Sequence, residues 1–225
     1  MWYIQGERFA PPYANIKYEI SAKGLSKADQ YKLLDGIIQR QGGIIRTGDV
    51  LAEGIGKAVF ARCIKLRGLE RIGHGIYIAP DAWQDDMYIL QLRFPQAVFS
   101  HDSALCLHGM TDRVPLRHSV TLKTGYNPSS LTREGIKAYT VKENLYSLGV
   151  TYAATIFGNQ VKTYDPERTV CDILRSRSGI EEQVFQDALK MYVRRRDKDI
   201  GRLIGYAEKL RVKNIAVHYI SLLLP

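Results

Sequence analysis

Two groups of polar side chains contain the residue types that enzymes use for hydrolysis or metal binding. The first lies in "SHDSALCLH", where His101, Ser103 and His108 could supply a nucleophile with its base, or two metal ligands. A catalytic serine needs a base, an orienting group and oxyanion donors around it, and the chain contains no Gly-x-Ser-x-Gly turn. We predict instead that Ser100 and Ser103 cap a helix. The two histidines are seven residues apart, about two helical turns, which is too far for shared metal ligation.

The second group lies in "YDPERTVCDIL", where the carboxyl groups of Asp165, Glu167 and Asp172 surround Arg168. Clustered carboxylates can bind magnesium, as they do in nucleases. However, Arg168 and Asp172 are four residues apart, the spacing of an ion pair on one helix face. Because an isolated buried charge is costly, we predict that Arg168 neutralises an inward-facing Asp172. The favoured interpretation is architectural, and a metal-dependent nucleic-acid-processing enzyme is the alternative.

A third group, within residues 55–75, suggests binding rather than catalysis. It contains five basic residues and one acidic residue, as neutralisation of phosphates requires. Small residues at the start of a helix also let a phosphate approach the backbone N–H groups. A basic helix followed by a glycine and a basic hairpin is more specific for DNA than a basic helix face alone. The residues predicted to contact DNA are Thr47, Gly56, Lys57, Ala58, Ala61, Arg62, Lys65, Arg71 and His74.

A second basic run, "RRRDKD", occupies residues 194–199 between two predicted helices. Residues 191–213 contain eight basic and three acidic residues. Such a run is usually a solvated face. The alternative is a surface that extends the DNA footprint or meets an acidic partner or RNA. The residues of this predicted partner surface are Arg194, Arg195, Arg196 and Lys198.

The elements that must position the first basic group begin with two helices. Ser26 is predicted to cap the first helix, which buries an apolar face and ends at residues 41–43. The segment "IIRT" follows as a short extended piece, and Thr47 is predicted to cap a second helix that Gly54 ends.

A third helix and a hairpin complete this part of the chain. The helix lies in "IGKAVFARCIKLRG", where Val59, Cys63 and Leu66 have the spacing of a core-facing stripe. In "LERIGHGIYIAP", two alternating arms flank a Gly-His-Gly turn, as in a β-hairpin. This order of elements is typical of a winged helix-turn-helix, in which the third helix enters the major groove and the hairpin is the wing.

The remainder of the chain differs in character and mixes helices with strands. The segments "HSVTLKTG" and "IKAYTV" alternate as strands do. Asp165 and Pro166 are typical of a helix start after a strand, and amphipathic helices are predicted to fill residues 180–224. The predicted fold class is α+β, an N-terminal winged helix-turn-helix followed by a mixed α/β C-terminal domain.

Composition limits the partners and the compartment. The formal net charge of +9 favours an anionic partner such as nucleic acid. Cys63, Cys106 and Cys171 lie far apart among apolar neighbours, so we expect neither disulfides nor a zinc site but a reducing compartment. The first 24 residues lack the pattern of a signal peptide and are predicted to be an extended arm. No apolar stretch approaches the ~20 residues needed to cross a bilayer. We expect a cytoplasmic protein that has no membrane partner, cofactor or metal.

Three blocks carry a family resemblance. "GLERIGHGIYIAP", "FPQAVFSHDSALCLHGMTDRVP" and "YDPERTVCDIL" resemble, in that order, the AbiEi-type antitoxins. These are winged-helix regulators of type IV toxin–antitoxin systems that act in bacterial abortive infection. The resemblance covers about residues 30–220 and leaves the N-terminal arm outside. It implies an N-terminal domain that represses its own operon and a C-terminal domain that counteracts a cognate nucleotidyltransferase-like toxin.

These observations predict an arm at residues 1–24, a winged helix-turn-helix DNA-binding domain at 25–82 and an antitoxin-type domain at 83–225. The expected function is that of a transcriptional autoregulator and antitoxin. Its expected partners are double-stranded operator DNA and the toxin, and whether the toxin is contacted directly stays open. The alternatives are the metal-dependent enzyme and a plain regulator whose second domain senses a ligand or dimerises.

Overall fold

The structure is a computed structural model that describes residues 25–223, so the predicted N-terminal arm lies outside the described residues. The chain divides into two compact units between Gln84 and Asp85. The described residues have a mixed α+β fold with two sheets, one of three strands and one of five. Between residues 25 and 223, no helix combines the length and the apolar character needed to span a bilayer.

The described part of unit 1 contains three helices and three short strands. Its elements are α1 (Lys27–Arg40), β1 (Ile44–Arg46), α2 (Thr47–Ala52), α3 (Lys57–Leu66), β2 (Glu70–Gly73) and β3 (Ile76–Ile78). The predicted cap of the first helix is confirmed, because the Ser26 side chain accepts a hydrogen bond from the Asp29 backbone N–H. The hairpin is also confirmed, and β1 pairs antiparallel with β3 to give the strand order β1-β3-β2.

The core of unit 1 fixes α3 against α1 and the hairpin. Phe60 and Cys63 of α3 are buried with Leu34 and Ile37 of α1, and Phe60 packs edge to face against Tyr77 of β3 at a centroid distance of 5.4 Å. The prediction that Leu66 faces this core is wrong, because Leu66 is 60% exposed. Leu66 follows Phe60 by six positions, about 240° around the helix axis, and therefore lies on another face.

Unit 2 contains a five-stranded mixed sheet, and helices lie both between its strands in the chain and after its last strand. Its elements are α4 (Asp86–Arg93), β4 (Val98–Phe99), α5 (His101–Leu107), β5 (Ser119–Lys123), α6 (Ser129–Arg133), β6 (Lys137–Val141), α7 (Glu143–Tyr146), β7 (Val150–Ala154), β8 (Gln160–Tyr164), α8 (Pro166–Arg175), a 3-10 turn (Arg177–Gly179), α9 (Glu182–Arg194), α10 (Ile200–Lys209) and α11 (Lys213–Leu223). The strand order is β6-β5-β4-β8-β7. The pairs β5–β6 and β4–β8 are parallel, and the other pairs are antiparallel.

Helix α8 is the centre of the larger core of unit 2. Every residue from Glu167 to Leu174 is buried, and α8 packs against α5, α9, α10 and α11. A smaller apolar cluster lies between α4 and the sheet, around Leu90, Phe99 and Leu122. The predicted N-cap of α8 is confirmed, because the Asp165 side chain accepts a hydrogen bond from the Arg168 N–H at 2.7 Å.

Candidate nucleic-acid interface

One side of α3 is free of core contacts. Ala58, Ala61, Arg62, Lys65 and Leu66 follow the spacing i, i+3, i+4, i+7 and i+8, which places them on one helix face. All five are exposed, and we call them the α3 face. Among residues 25–223, the side chains of Arg62 and Lys65 have no ion-pair partner, so both positive charges are available to a ligand.

The amino end of α3 is also open. Gly56 occupies the N-cap position with an extended backbone, and no side chain caps the helix. Lys57 and Ala58 begin the helix and are exposed, and the first turn contains no acidic residue. Uncapped N–H groups at an exposed helix start can donate to a phosphate oxygen.

The hairpin turn places Arg71 and His74 side by side. The Arg71 Nε–H donates to the Gly73 carbonyl at 3.1 Å, and Arg71 Nη2 lies 3.5 Å from His74 Nδ1. Both residues are exposed, and Arg71 forms no salt bridge with any described residue. The guanidinium is therefore held over the turn and keeps donors free for a phosphate.

Thr47 has a different role from the one predicted. Arg46, not Thr47, is at the N-cap position of α2, and no side chain caps that helix. The backbone N–H and the hydroxyl of Thr47 both donate to the Gly75 carbonyl, at 2.8 and 3.2 Å. This carbonyl lies at the start of α2 because Arg46 pairs with Ile76 across β1 and β3. Thr47 therefore fastens the hairpin turn to α2, and its hydroxyl donor is already used.

Arg67 also binds within the unit rather than to a ligand. Its Nε and Nη2 donate to the two carboxyl oxygens of Asp35 at 2.8 and 2.7 Å. The hydrogen bond from the Arg67 guanidinium holds the pKa of the Asp35 carboxyl below its usual range. This pair ties the carboxyl end of α3 to α1. It also neutralises Arg67, one of the five basic residues within residues 55–75.

The serines around His101 form a buried network, and the prediction that they cap a helix is wrong. Ser100 occupies the N-cap position of α5, but no side chain caps the helix. Instead the Ser100 hydroxyl accepts from Thr121 Oγ1 at 2.9 Å, and Ser103 Oγ accepts from the Ser119 N–H at 2.9 Å. These partners lie on β5, so the network joins α5 to the sheet.

His101 is enclosed by the same network. Its Nδ1 lies 3.0 Å from Ser100 Oγ and its Nε2 lies 3.1 Å from Ser176 Oγ, while its ring stacks on Tyr139 at a centroid distance of 3.6 Å. Burial lowers the pKa of His101 to about 3, which makes the imidazole neutral at physiological pH. His108 is separate from this cluster, because its Nε2–H donates to the Tyr164 carbonyl at 2.6 Å.

The predicted ion pair of α8 is confirmed. The Arg168 Nε–H donates to both oxygens of Asp172 at 3.0 and 3.1 Å, and Arg168 Nη1 donates to the carbonyls of Leu145 and Leu148. Burial raises the pKa of the Asp172 carboxyl, and the neighbouring Arg168 guanidinium opposes this rise. The pair therefore links α8 to the loop around α7.

The other two carboxylates of this segment also have structural partners. Glu167 Oε1 accepts from the Tyr192 hydroxyl at 3.2 Å and from the Asp199 N–H at 3.0 Å, whereas Asp165 caps α8. Across residues 25–223, no three His, Cys, Asp or Glu side chains form a group that could hold a metal ion. These contacts account for the carboxylates without a ligand, and none of them favours the nuclease alternative.

The "RRRDKD" segment divides into exposed and engaged residues. Arg194 and Arg196 are exposed. Arg195 is half-buried: it pairs with Asp197 at 2.8 Å, and its Nη1 donates to the His108 carbonyl at 2.8 Å. Lys198 Nζ donates to the Arg195 carbonyl at 3.1 Å. The prediction of a partner surface therefore needs correction at Arg195, which fastens the loop between α9 and α10 to the end of α5.

The exposed Leu66 is the residue of the α3 face that the sequence interpretation missed. Its spacing from Cys63 is compatible with the core, so periodicity alone assigned it there. An apolar side chain beside Arg62 and Lys65 can contact the methyl group of thymine. The signal available in the sequence was Phe60, whose larger side chain sets the direction of the buried face.

Comparison with known proteins bears on the fold. No family model matches the chain, and no curated protein matches it. Among solved structures, the chain is similar to the RV2827C protein from Mycobacterium tuberculosis, with a TM-score of 0.57 and 16% sequence identity over 88% of this chain and 76% of that chain. At this identity the likeness is one of fold alone, and it agrees with a mixed α+β architecture.

Proposed function

We propose that unit 1 is a winged helix-turn-helix domain and that the protein is a DNA-binding repressor of its own operon. The observation that carries this proposal is the α3 face, a solvent-exposed helix side with unpaired Arg62 and Lys65. In a winged helix-turn-helix the third helix enters the major groove, and the order α1-β1-α2-α3-β2-β3 matches that arrangement.

The exposed groups have distinct roles in this proposal. Arg62, near the middle of α3, reads a base edge, because an arginine fork matches the O6 and N7 acceptors of guanine. Lys57 and the N–H groups that follow Gly56 meet a phosphate at the helix start. Arg71 and His74 reach the DNA backbone beside α3, as expected of a wing.

We further propose that the protein is an AbiEi-type antitoxin and that unit 2 counteracts a nucleotidyltransferase-like toxin. The support is the three-block resemblance, together with the way in which its second and third blocks pack. The second block contains β4 and α5 and the third contains α8, and these two helices contact each other within the larger core of unit 2. The second and third blocks are therefore in contact with each other inside unit 2.

Fluorescence anisotropy with the DNA upstream of the protein's own gene tests the repressor proposal. We expect tight binding to this DNA and much weaker binding to a scrambled duplex of equal length, measured at one fixed salt concentration because phosphate contacts are salt-dependent. Equal affinity for the two duplexes would contradict sequence-specific repression. Co-expression with the product of a neighbouring nucleotidyltransferase-like gene tests the antitoxin proposal, and unrelieved growth arrest would contradict it.

A further inference from the structure

Unit 2 contains a cavity of about 330 Å³ where the parallel strands β5 and β6 end. Thr124 follows β5, Thr140 and Val141 form the end of β6, and Lys142 comes directly after β6. The carboxyl ends of parallel strands meet at one edge of a sheet, and ligands of α/β folds bind outside that edge. The volume lies within the range of small-molecule sites.

The lining of this cavity is strongly basic. Among the described residues that line it, none is acidic and four are cationic: Lys142, Arg175, Lys209 and Arg211. All four are exposed, and none makes a side-chain hydrogen bond or salt bridge to any of residues 25–223. The rest of the lining consists of three polar and three apolar residues: Thr124, Thr140, Asn144, Val141, Leu145 and Leu210. We call this site the basic cavity.

Two acidic residues are neighbours of cavity residues in the chain, but they do not neutralise the positive charge of the basic cavity. Glu143, which follows Lys142, pairs with Lys123. Glu208, which precedes Lys209, pairs with Lys213 at 3.4 Å. Lys123 and Lys213 are outside the cavity lining, so both carboxylates are directed to other cations.

The backbone at Arg211 is a second, independent observation. Arg211 has a φ of +61° and is one of two residues other than glycine with positive φ in the described part of the chain. It follows the end of α10, where the Val212 N–H returns to the Ala207 carbonyl at 2.8 Å, and glycine is the residue usual at this position. An arginine held in a conformation that favours glycine, with its side chain in the cavity lining, indicates a use for that side chain.

Helix-end electrostatics accounts for only part of the cluster. Arg175 and Lys209 are in the last turns of α8 and α10, where a positive charge stabilises the helix dipole. Lys142 instead immediately precedes α7, where a positive charge is unfavourable. The convergence of all four charges on one concavity therefore needs another explanation.

We propose that the basic cavity binds the linked phosphate groups of a small ligand, as found in pyrophosphate or in a nucleoside di- or triphosphate. Arginine forks and lysine ammonium groups match phosphate oxygens, and the hydroxyl and amide groups of the lining supply further donors. Within residues 25–223, no aromatic side chain lines the cavity to stack on a base, so we assign recognition to the phosphates. This site is separate from the DNA contacts proposed for unit 1 and does not depend on them.

Calorimetric titration of the full chain with inorganic pyrophosphate at constant ionic strength tests the proposal. The informative variant is Arg211→Gly, because glycine suits the backbone at this position and the variant is expected to remain folded. We expect it to weaken pyrophosphate binding about tenfold, the loss associated with one charge-assisted hydrogen bond. Lys209→Gln should have a similar effect. Lys190→Gln is the control, because it removes the same charge from an exposed site on α9 outside the cavity and should leave the affinity within about twofold.

Four outcomes would overturn the proposal. The first is that wild-type protein does not bind pyrophosphate, and the second is that Lys190→Gln weakens binding as much as Lys209→Gln. The third is that orthophosphate and sulfate bind as tightly as pyrophosphate, which would indicate diffuse electrostatic attraction. The fourth is that duplex DNA displaces pyrophosphate from the wild-type protein and that the Arg211→Gly variant binds this DNA more weakly. That result would identify the cavity as a contact for a nucleic-acid backbone.

Discussion

Arg62 and Arg71 differ in what their side chains already contact, and this difference decides what each can contribute to the proposed DNA binding. Arg62 makes no polar contact with any described residue, so its whole guanidinium can meet a base edge. Arg71 is anchored to the Gly73 carbonyl at 3.1 Å, which fixes its position over the hairpin turn. A fixed cation next to a groove suits a phosphate, whose position does not vary with sequence.

Replacement of Arg62 by alanine should reduce sequence discrimination as well as affinity. A bidentate contact to guanine is worth about 1–3 kcal/mol, so operator DNA should lose about that much binding free energy while random DNA loses less. Competition binding with operator and scrambled duplexes measures the difference. Lys32→Ala, on the exposed side of α1, is the control. Full discrimination in Arg62→Ala would mean that α3 does not read bases.

Replacement of Arg71 by alanine should instead weaken binding to all DNA sequences nearly equally. It should also flatten the dependence of log K on log salt by about one unit, because about one fewer counterion is released. Salt titrations with operator and scrambled duplexes measure both effects. Unchanged affinity together with an unchanged slope would mean that the hairpin does not touch DNA.

At the scale of the secondary-structure elements, α5 is attached to the sheet by buried polar contacts. Ser119 Oγ donates to the Ser100 carbonyl at 2.7 Å, and the Ser103 N–H donates back to Ser119 Oγ at 3.1 Å. His101 begins the helix with a φ of +47°, a conformation that is costly for a non-glycine residue. Its stacking on Tyr139 and its two serine contacts hold it in this conformation.

The neutral state of His101 predicts a specific dependence of stability on pH. Its pKa is about 3 in the folded chain and 6.5 in the unfolded reference, so between these values the unfolded chain binds more protons. Its contribution to the free energy of unfolding is therefore complete above pH 6.5. As the pH is lowered from 6.5 towards 3, this contribution decreases by up to about 1.4 kcal/mol per pH unit.

The variant His101→Asn isolates this effect, since asparagine tolerates the left-handed backbone. Urea unfolding between pH 7 and pH 4 should show a lower stability for the variant at neutral pH and a gap that narrows as the pH falls. His108 and His118, whose pKa values are also lowered by burial, remain in both proteins and cancel from the comparison. Parallel pH curves for the two proteins would contradict the assignment.

Contacts between near neighbours in the chain could be predicted from the sequence. The Ser26 and Asp165 caps each bind an N–H three residues away, and the Arg168–Asp172 pair spans one helical turn. In these cases residue type and spacing determine the geometry once the helix forms. The turn glycines of the hairpin gave a similar local signal.

Contacts across the fold could not be predicted in this way. Ser100 fits the pattern of a helix cap, but its hydroxyl binds Thr121, which only the pairing of β4 with β5 brings near. Arg67 likewise belongs to a basic helix in the sequence and to an ion pair with Asp35 in the structure. The basic cavity collects cations from the carboxyl ends of two helices and from the junction between β6 and α7, so no single segment of the sequence contains its pattern.

At the scale of the whole molecule, the two units have separate cores and separate candidate sites. The core of unit 1 contains only residues up to Ala82, and the two apolar clusters of unit 2 contain only residues from Met87 onward. The α3 face and the first block of the resemblance belong to unit 1, whereas the second and third blocks and the basic cavity belong to unit 2. Separate cores mean that the two proposed activities, repression and toxin neutralisation, should be separable by mutation.

Residues 83–225 alone should therefore relieve the toxicity of the cognate toxin, while residues 25–82 alone should not. Full-length Arg62→Ala, which leaves the core of unit 1 unchanged, should lose repression and keep rescue. Growth after toxin induction and a reporter driven by the protein's own promoter measure the two activities, with circular dichroism as the check that each fragment is folded. Rescue by residues 25–82, or loss of rescue in Arg62→Ala, would sink this division, because the antitoxin effect would then depend on DNA binding by unit 1.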